Sequence, residues 1–337
     1  MMNKIFFFAV LLFFCLTVSA FSYTREEVVE RGHLLCGVST GAPGFSSVDK
    51  SGRWTGLDAD FCRAVAAAVL GKSARVEFVP LAENEAFTAL ITGEVDILSR
   101  QSSWDFTRDS ALAVDFTGVS YYDSRGIMIA KSLGAESLGE LKRVRICSSA
   151  DAYADAVLTE YLLENKVEFK VVTFDNTDLA VKGFEGGGCD LLSMPFSRLQ
   201  SIQKELSKKD SSLVLPDTMS REPLGPVVRQ GDDNWFDIVR WTLFALIDAE
   251  ELGITSVNLE EMKIRDRLAV KNFFGIGGTG KNGLGLQADW AEQMVRQVGN
   301  YEEIYEKNLG TKSDLKIERG MNKLWSKGGL HYAPPLR

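Results

Sequence analysis

Gly93-Glu94-Val95-Asp96-Ile97-Leu98-Ser99 decides the fold, because almost the same phrase returns as Gly187-Gly188-Cys189-Asp190-Leu191-Leu192-Ser193. Glycine, aspartate, leucine and serine agree, and Ile97 is answered by Leu191. Each copy reads as a glycine stop followed by a short apolar run suited to a buried strand. The surroundings repeat as well. Ahead of the first copy the pattern predicts strand 34–38, helix 57–70 stopped by Gly71, strand 75–80 and helix 83–92, leading into strand 95–98. Around the second it predicts strand 144–147, helix 152–163, strand 169–174, helix 177–183, strand 190–194 and helix 196–206. Alanine-rich runs with Phe61, Val65, Ala68 and Val69 at helical spacing carry the helices, and alternation at Val76 and Phe78 carries the strands. Two βαβαβ units of this kind predict an α/β protein of two doubly wound lobes, each a mainly parallel sheet with helices on both faces.

Between the units, 122–126 and 221–227 are the expected crossings; Pro223-Leu224-Gly225-Pro226 resists helix and suits an extended strand. The expected organisation is therefore residues 21–123 and 225–337 as lobe 1 with a C-terminal extension, residues 124–224 as lobe 2, a two-crossing hinge, and a ligand cleft between the lobes. Helix 233–251 carries Trp235, Ile238, Val239, Thr242, Leu243 and Leu246 on one face, a core stripe. The glycine-rich stretch 275–285 lacks the leading strand and spacing of a phosphate loop and reads as a flexible connection. A final helical region, about 289–309, and the tail to Arg337 are expected to pack against a lobe.

The chain has 337 residues, 45% hydrophobic and 25% charged, enough for about two globular domains. At its start stand Lys4, an apolar run from Ile5 to Leu16, and the small residues of Thr17-Val18-Ser19-Ala20, which together read as a secretory signal over residues 1–20. The run is short for a membrane span and Cys15 follows Phe-Phe, so an exported, soluble protein without a lipid anchor is expected. Losing Lys4 leaves 37 basic against 46 acidic residues, which disfavours nucleic acid and anionic membranes as partners. Four cysteines remain, Cys36, Cys62, Cys147 and Cys189. Export makes disulfides plausible and sequence allows three pairings; the two-unit organisation favours Cys36 with Cys62 and Cys147 with Cys189, with buried free thiols as the alternative. Two distant histidines and no CxxC give no metal cluster, and no cofactor is expected.

After the first repeat come Ser99-Arg100-Gln101-Ser102-Ser103-Trp104-Asp105-Phe106-Thr107-Arg108. Asp105 is a good helix N-cap, which puts Arg108 about one turn into the following helix, where it can converge with Ser102 and Ser103. Hydroxyls, free N–H groups and a planar guanidinium suit a carboxylate. The same letters also describe a capped surface helix with a solvated arginine.

Taken together, these features resemble the periplasmic solute-binding proteins of polar amino-acid ABC importers, closest to the general L-amino-acid-binding branch. The resemblance rests on Cys36-Gly37-Val38, the run 56–71 (G-L-D-A-D-F-C-R-A-V-A-A-A-V-L-G), Ser99-Arg100, Phe116-Thr117-Gly118, the run 223–241 and Tyr332-Ala333-Pro334-Pro335, and covers essentially the whole mature chain. It implies a monomeric binding protein that closes around an amino acid or related carboxylate and hands it to an ABC permease in the inner membrane. It implies that Ser103 and Arg108, with Gln101 and Ser102 beside them, hold the α-carboxylate, and that Phe45 lines the side-chain pocket. Two positions depart from the family: Asp151-Ala152-Tyr153 stands where Gly-Thr-Thr usually adds donors, and Pro195 where an aspartate usually pairs with the α-ammonium. A sensor for a carboxylate other than an amino acid is the alternative reading. A dehydratase on the same scaffold would need an acid–base pair in the cleft, yet His33 and His331 lie outside it and only Asp151 and Glu185 are loose candidates.

Overall fold

The structure, a computed structural model, describes residues 23–149, 152–216, 220–276 and 283–336. The leader at 1–20, Asp151 and the middle of the glycine-rich connection lie outside the described residues. In chain order the first part holds α1 (Thr24–Arg31), β1 (Leu34–Ser39), a small ribbon of β2 (Ser47–Val48) and β3 (Trp54–Thr55), α2 (Leu57–Leu70), β4 (Val76–Leu81), α3 (Glu83–Ile91), β5 (Ile97–Leu98), α4 (Phe106–Ala111) and β6 (Val114–Phe116). The chain crosses along β7 (Tyr121–Asp123) into β8 (Arg125–Ala130), β9 (Arg143–Ser149), α5 (Ala152–Glu164), β10 (Glu168–Phe174), α6 (Thr177–Glu185), β11 (Leu191–Pro195), α7 (Phe196–Glu205) and β12 (Ser212–Val214). It returns along β13 (Glu222–Leu224) to β14 (Val227–Arg229), α8 (Asp233–Leu252), α9 (Leu259–Lys263), α10 (Leu268–Phe273), α11 (Trp290–Val298) and α12 (Tyr301–Asn308).

Two five-stranded sheets result, β4-β1-β5-β14-β6 and β10-β9-β11-β8-β12. In each, three parallel strands in the order second, first, third are followed by one antiparallel strand, laid down just after the chain crosses between lobes. Consecutive residues of the third strands face opposite sides: Ile97 and Leu98 join different apolar clusters, as do Leu191 and Leu192. Both faces of each sheet are thus covered, which is why the repeated run is apolar without alternation.

The repeated aspartates do one structural job twice. Asp96 accepts the Leu35 N–H at 2.8 Å and pairs with Arg31. Asp190 accepts the Arg145 N–H at 2.9 Å and pairs with that arginine's guanidinium at 2.6 Å. Each carboxylate closes the start of its lobe's first strand. That duty, with the turn in which Glu94 N–H bonds Ala89 O, leaves only Ile97–Leu98 in the ladder, two residues fewer than the 95–98 expected. The two disulfides are Cys36–Cys62, fastening α2 to β1, and Cys147–Cys189, fastening β9 to the turn before β11. Their separations of 26 and 42 residues correspond to about 2–4 kcal/mol of stabilisation each through the unfolded chain.

The two crossings pair with each other, β7 against β13, with Tyr121 opposite Leu224 and Asp123 opposite Glu222. A side chain at Gly225 would lie 1.9 Å from Gly118 O, so only glycine permits this approach. The helical region 289–309 holds two helices, because Asn300 and Glu303 form a reciprocal capping box that starts α12 afresh after Gly299. This C-terminal extension is packed onto the hinge as well as the lobe. Asn322 takes both the N–H and the C=O of Tyr122, at 2.7 and 3.0 Å, and Tyr301 OH donates to Ser120 O at 2.7 Å. Arg319 holds the Asn322 carbonyl at 2.7 Å and is itself fixed by a buried bidentate pair with Glu250 of α8. His331 lies 2.8 Å from Tyr301 OH, its pKa lowered to about 3 by burial, so it is a neutral packing residue.

Candidate ligand-binding site

The loop at the carboxyl end of β5 is anchored at nearly every residue. Ser99 N–H donates to Gly37 O at 2.9 Å and Ser99 Oγ to Asp58 Oδ1 at 3.3 Å. Arg100 O accepts from Ser39 Oγ at 3.3 Å. Gln101 has φ 58°, a left-handed conformation uncommon outside glycine. Ser102 O accepts the Gly225 N–H at 3.0 Å, Ser103 bridges to Leu224, and Trp104 N–H donates to Pro223 O at 2.8 Å. The loop is therefore docked on the second hinge crossing. Trp104 stacks on Phe116 at 5.6 Å, fixing the entry to α4.

Asp105 caps α4 by accepting the Arg108 N–H at 2.8 Å, as its sequence position predicts. The Arg108 guanidinium donates to Ser103 O at 3.2 Å and to Glu83 Oε1 at 3.3 Å, and lies 5.6 Å over the Phe87 ring. The structure thus brings Ser102, Ser103 and Arg108 into one loop and helix start, with Gln101 setting the turn. Arg108 already faces a carboxylate, and a solute anion has to share or displace exposed Glu83.

Asp58, in the first turn of α2, organises this loop and was not singled out by the sequence. Its signal was an acidic residue inside the apolar run after Gly56. Burial pushes its carboxyl up to about 7, opposed by the Ser99 hydroxyl, the nearby Arg100 charge and the Gln101 N–H. Because the folded pKa lies above the unfolded value near 4, the folded state binds this proton more tightly. Its stabilisation is fully present below about pH 4 and is lost as pH rises to about 7, by about 4 kcal/mol on the linkage relation. Denaturant unfolding of Asp58→Asn across pH 4 to 7 should lack this share of the decline; parallel curves for the two proteins would assign the pH dependence to other groups.

In the second lobe, Pro195 ends β11 opposite Arg125, is exposed, and stands at the N-cap of α7. It brings no carboxylate. The start of α7 is held instead by Asp123 of the hinge, which accepts from Ser197 Oγ at 2.5 Å, from Ser197 N–H at 3.3 Å and from Ser124 N–H at 2.8 Å. Tyr153 lies in the first turn of α5, and Asp151 falls outside the described residues. Phe45 is 2% exposed and packs edge-on against Tyr121 at 5.0 Å inside the lobe 1 core. Glu185, a loose acid candidate, accepts from Ser207 N–H at 2.6 Å and is held below the usual carboxylate range by the Ser207 hydroxyl.

Two lobes of this topology, a paired hinge and an arginine-bearing loop at a strand's carboxyl end define a solute-binding protein of the two-lobed kind. The family model for bacterial extracellular solute-binding proteins, family 3, matches residues 34–256, and the chain belongs to that family. It is 44% identical over 321 residues to the general L-amino acid-binding periplasmic protein AapJ of Rhizobium johnstonii, covering 95% of this chain and 94% of that one. It is 40% identical, over the whole of both chains, to the glutamate/glutamine/aspartate/asparagine-binding protein BztA of Rhodobacter capsulatus. Among solved structures, an ABC transporter periplasmic binding protein from Brucella ovis with glutathione bound superposes with a TM-score of 0.87 at 42% identity, covering 94% of this chain and all of that one.

Proposed function

We propose that this protein is the exported solute-binding component of an ABC importer, which closes lobe 2 (124–224) onto lobe 1 (21–123 and 225–337) around a small carboxylate-bearing solute and delivers it to a membrane permease. The observation that carries the reading is the clamp: Arg108 in the first turn of α4, Ser103 at its base, and the left-handed Gln101 loop docked on the hinge. A carboxylate bound there lies on the loop docked against the second hinge crossing, beside the pivot about which the lobes close, which couples capture to closure. Residues 1–20 are read as the export signal, and two disulfides suit an oxidising compartment. The similar proteins are named as binding proteins, for amino acids or with glutathione bound, which supports binding and transport over catalysis. We read the protein as a monomer and as no enzyme.

A second reading is favoured by Pro195. With no carboxylate at the end of β11, the pocket keeps its anion clamp and loses the usual ammonium partner, so a carboxylate without a free α-amine is the competing solute. Calorimetric titration of the mature protein with amino acids, dicarboxylates and small peptides separates the two. Micromolar binding of common L-amino acids supports the first; binding of carboxylates alone supports the second; and no carboxylate binding would remove both.

A further inference from the structure

We propose that Arg100 is a second anion-binding group of this pocket, and that the solute class is one carrying two carboxylates, such as an acidic amino acid or a small acidic peptide. The inference rests on the clamp reading above and narrows it. Arg100 sits between Ser99, tied to Gly37 and Asp58, and Gln101, locked in its left-handed turn, so its main chain has little freedom. Its side chain is partly buried, yet Nε is shielded from solvent without a hydrogen-bond partner. Among the described residues no carboxylate lies within ion-pair distance of its guanidinium.

The electrostatics sharpen the point. Burial lowers the Arg100 pKa; Glu83 and Asp58 attract its charge from beyond pairing distance, and Arg108 is near enough to repel it. Glu83, the carboxylate acting on both arginines, is already engaged by Arg108. A partly buried cation left without a partner is costly, and two guanidiniums beside one loop are relieved most by anionic oxygens placed between or across them. Ser102 Oγ, in the same loop, is also buried without a partner and supplies a further donor. One carboxylate satisfies Arg108 and leaves Arg100 as it is. Two satisfy both, and a planar guanidinium is the side chain suited to hold the second.

The test uses two isosteric pairs that differ only in the second carboxylate: L-glutamate with L-glutamine, and glutarate with glutaramate, the latter pair covering a pocket that rejects an α-amine. Calorimetry on the mature protein should give at least tenfold tighter binding of the acid than of its amide in whichever pair binds. Arg100→Gln should collapse that ratio towards one, while Arg100→Lys should keep part of it, and thermal unfolding of the variants reports whether the fold survives. Equal binding of acid and amide by the unmodified protein, or a ratio that survives Arg100→Gln, overturns the inference while leaving the clamp intact. Failure of the clamp itself looks different: neither member of either pair binds, or Arg108→Ala leaves affinity unchanged.

Discussion

Calorimetry on Arg108→Ala should record a loss of about 1.5–3 kcal/mol in carboxylate binding, roughly ten- to hundredfold, because charge-assisted hydrogen bonds have that net worth. The fold should survive. The cap of α4 uses the Arg108 main-chain N–H, which alanine retains, and the side chain's own contacts are one carbonyl, two exposed carboxylates and a ring. Arg108→Lys should fall between the two proteins, since an ammonium keeps the charge and gives up the planar fork. Unchanged affinity in a variant with unchanged melting temperature would place the anion elsewhere and return Arg108 to the surface helix it otherwise resembles.

Pro195→Asp carries the largest gain. A buried ammonium with no carboxylate partner costs roughly 3–5 kcal/mol, and restoring one at the end of β11 should improve amino-acid affinity by on the order of 3 kcal/mol, about a hundredfold. Aspartate is also a natural helix N-cap, so the new carboxylate has a second use at the start of α7. Asp123 already occupies the Ser197 N–H and hydroxyl, which weakens that competition and leaves the new group free for the solute. Stability should change little, because Pro195 is exposed. If the unmodified protein binds common L-amino acids at micromolar affinity and the variant gains nothing, the ammonium is met by another carboxylate, with Asp151 and Asp123 the first to mutate.

Much of this architecture is written in local pattern. Helix α2 runs from Leu57 to Leu70 and stops at Gly71, as its alanine-rich spacing and terminal glycine predict, and Asp105 caps α4 where the letters place it. The repeated Gly-x-x-Asp phrase marks the third strand of each sheet, because the same backbone N–H has to be closed in both. Partnerships formed across the fold are another matter. Phe45 gives no sign of whether its ring turns to a cleft or to Tyr121. Asp58 lies some forty residues before the loop it organises, and the missing partner of Arg100 is a property of everything around it. The break at Gly299 is legible, since Asn300 and Glu303 have capping-box spacing.

The grip of Asn322 on Tyr122 has a mechanical consequence. With both main-chain polar groups of that residue spoken for, and Arg319 locking Asn322 to α8, rotation in the first crossing has to begin after Tyr122, at Asp123 and Ser124. The clamp loop, tied to Leu224 and Gly225, and the tail that bears Asn322 then ride on the same side of the pivot. Two probes placed on the clamp loop and the tail keep a constant separation while the protein opens and shuts, whereas a probe on α7 moves against either. The family match ends at residue 256, so the residues that form this bearing, Arg319 and Asn322, lie in the part of the chain beyond it.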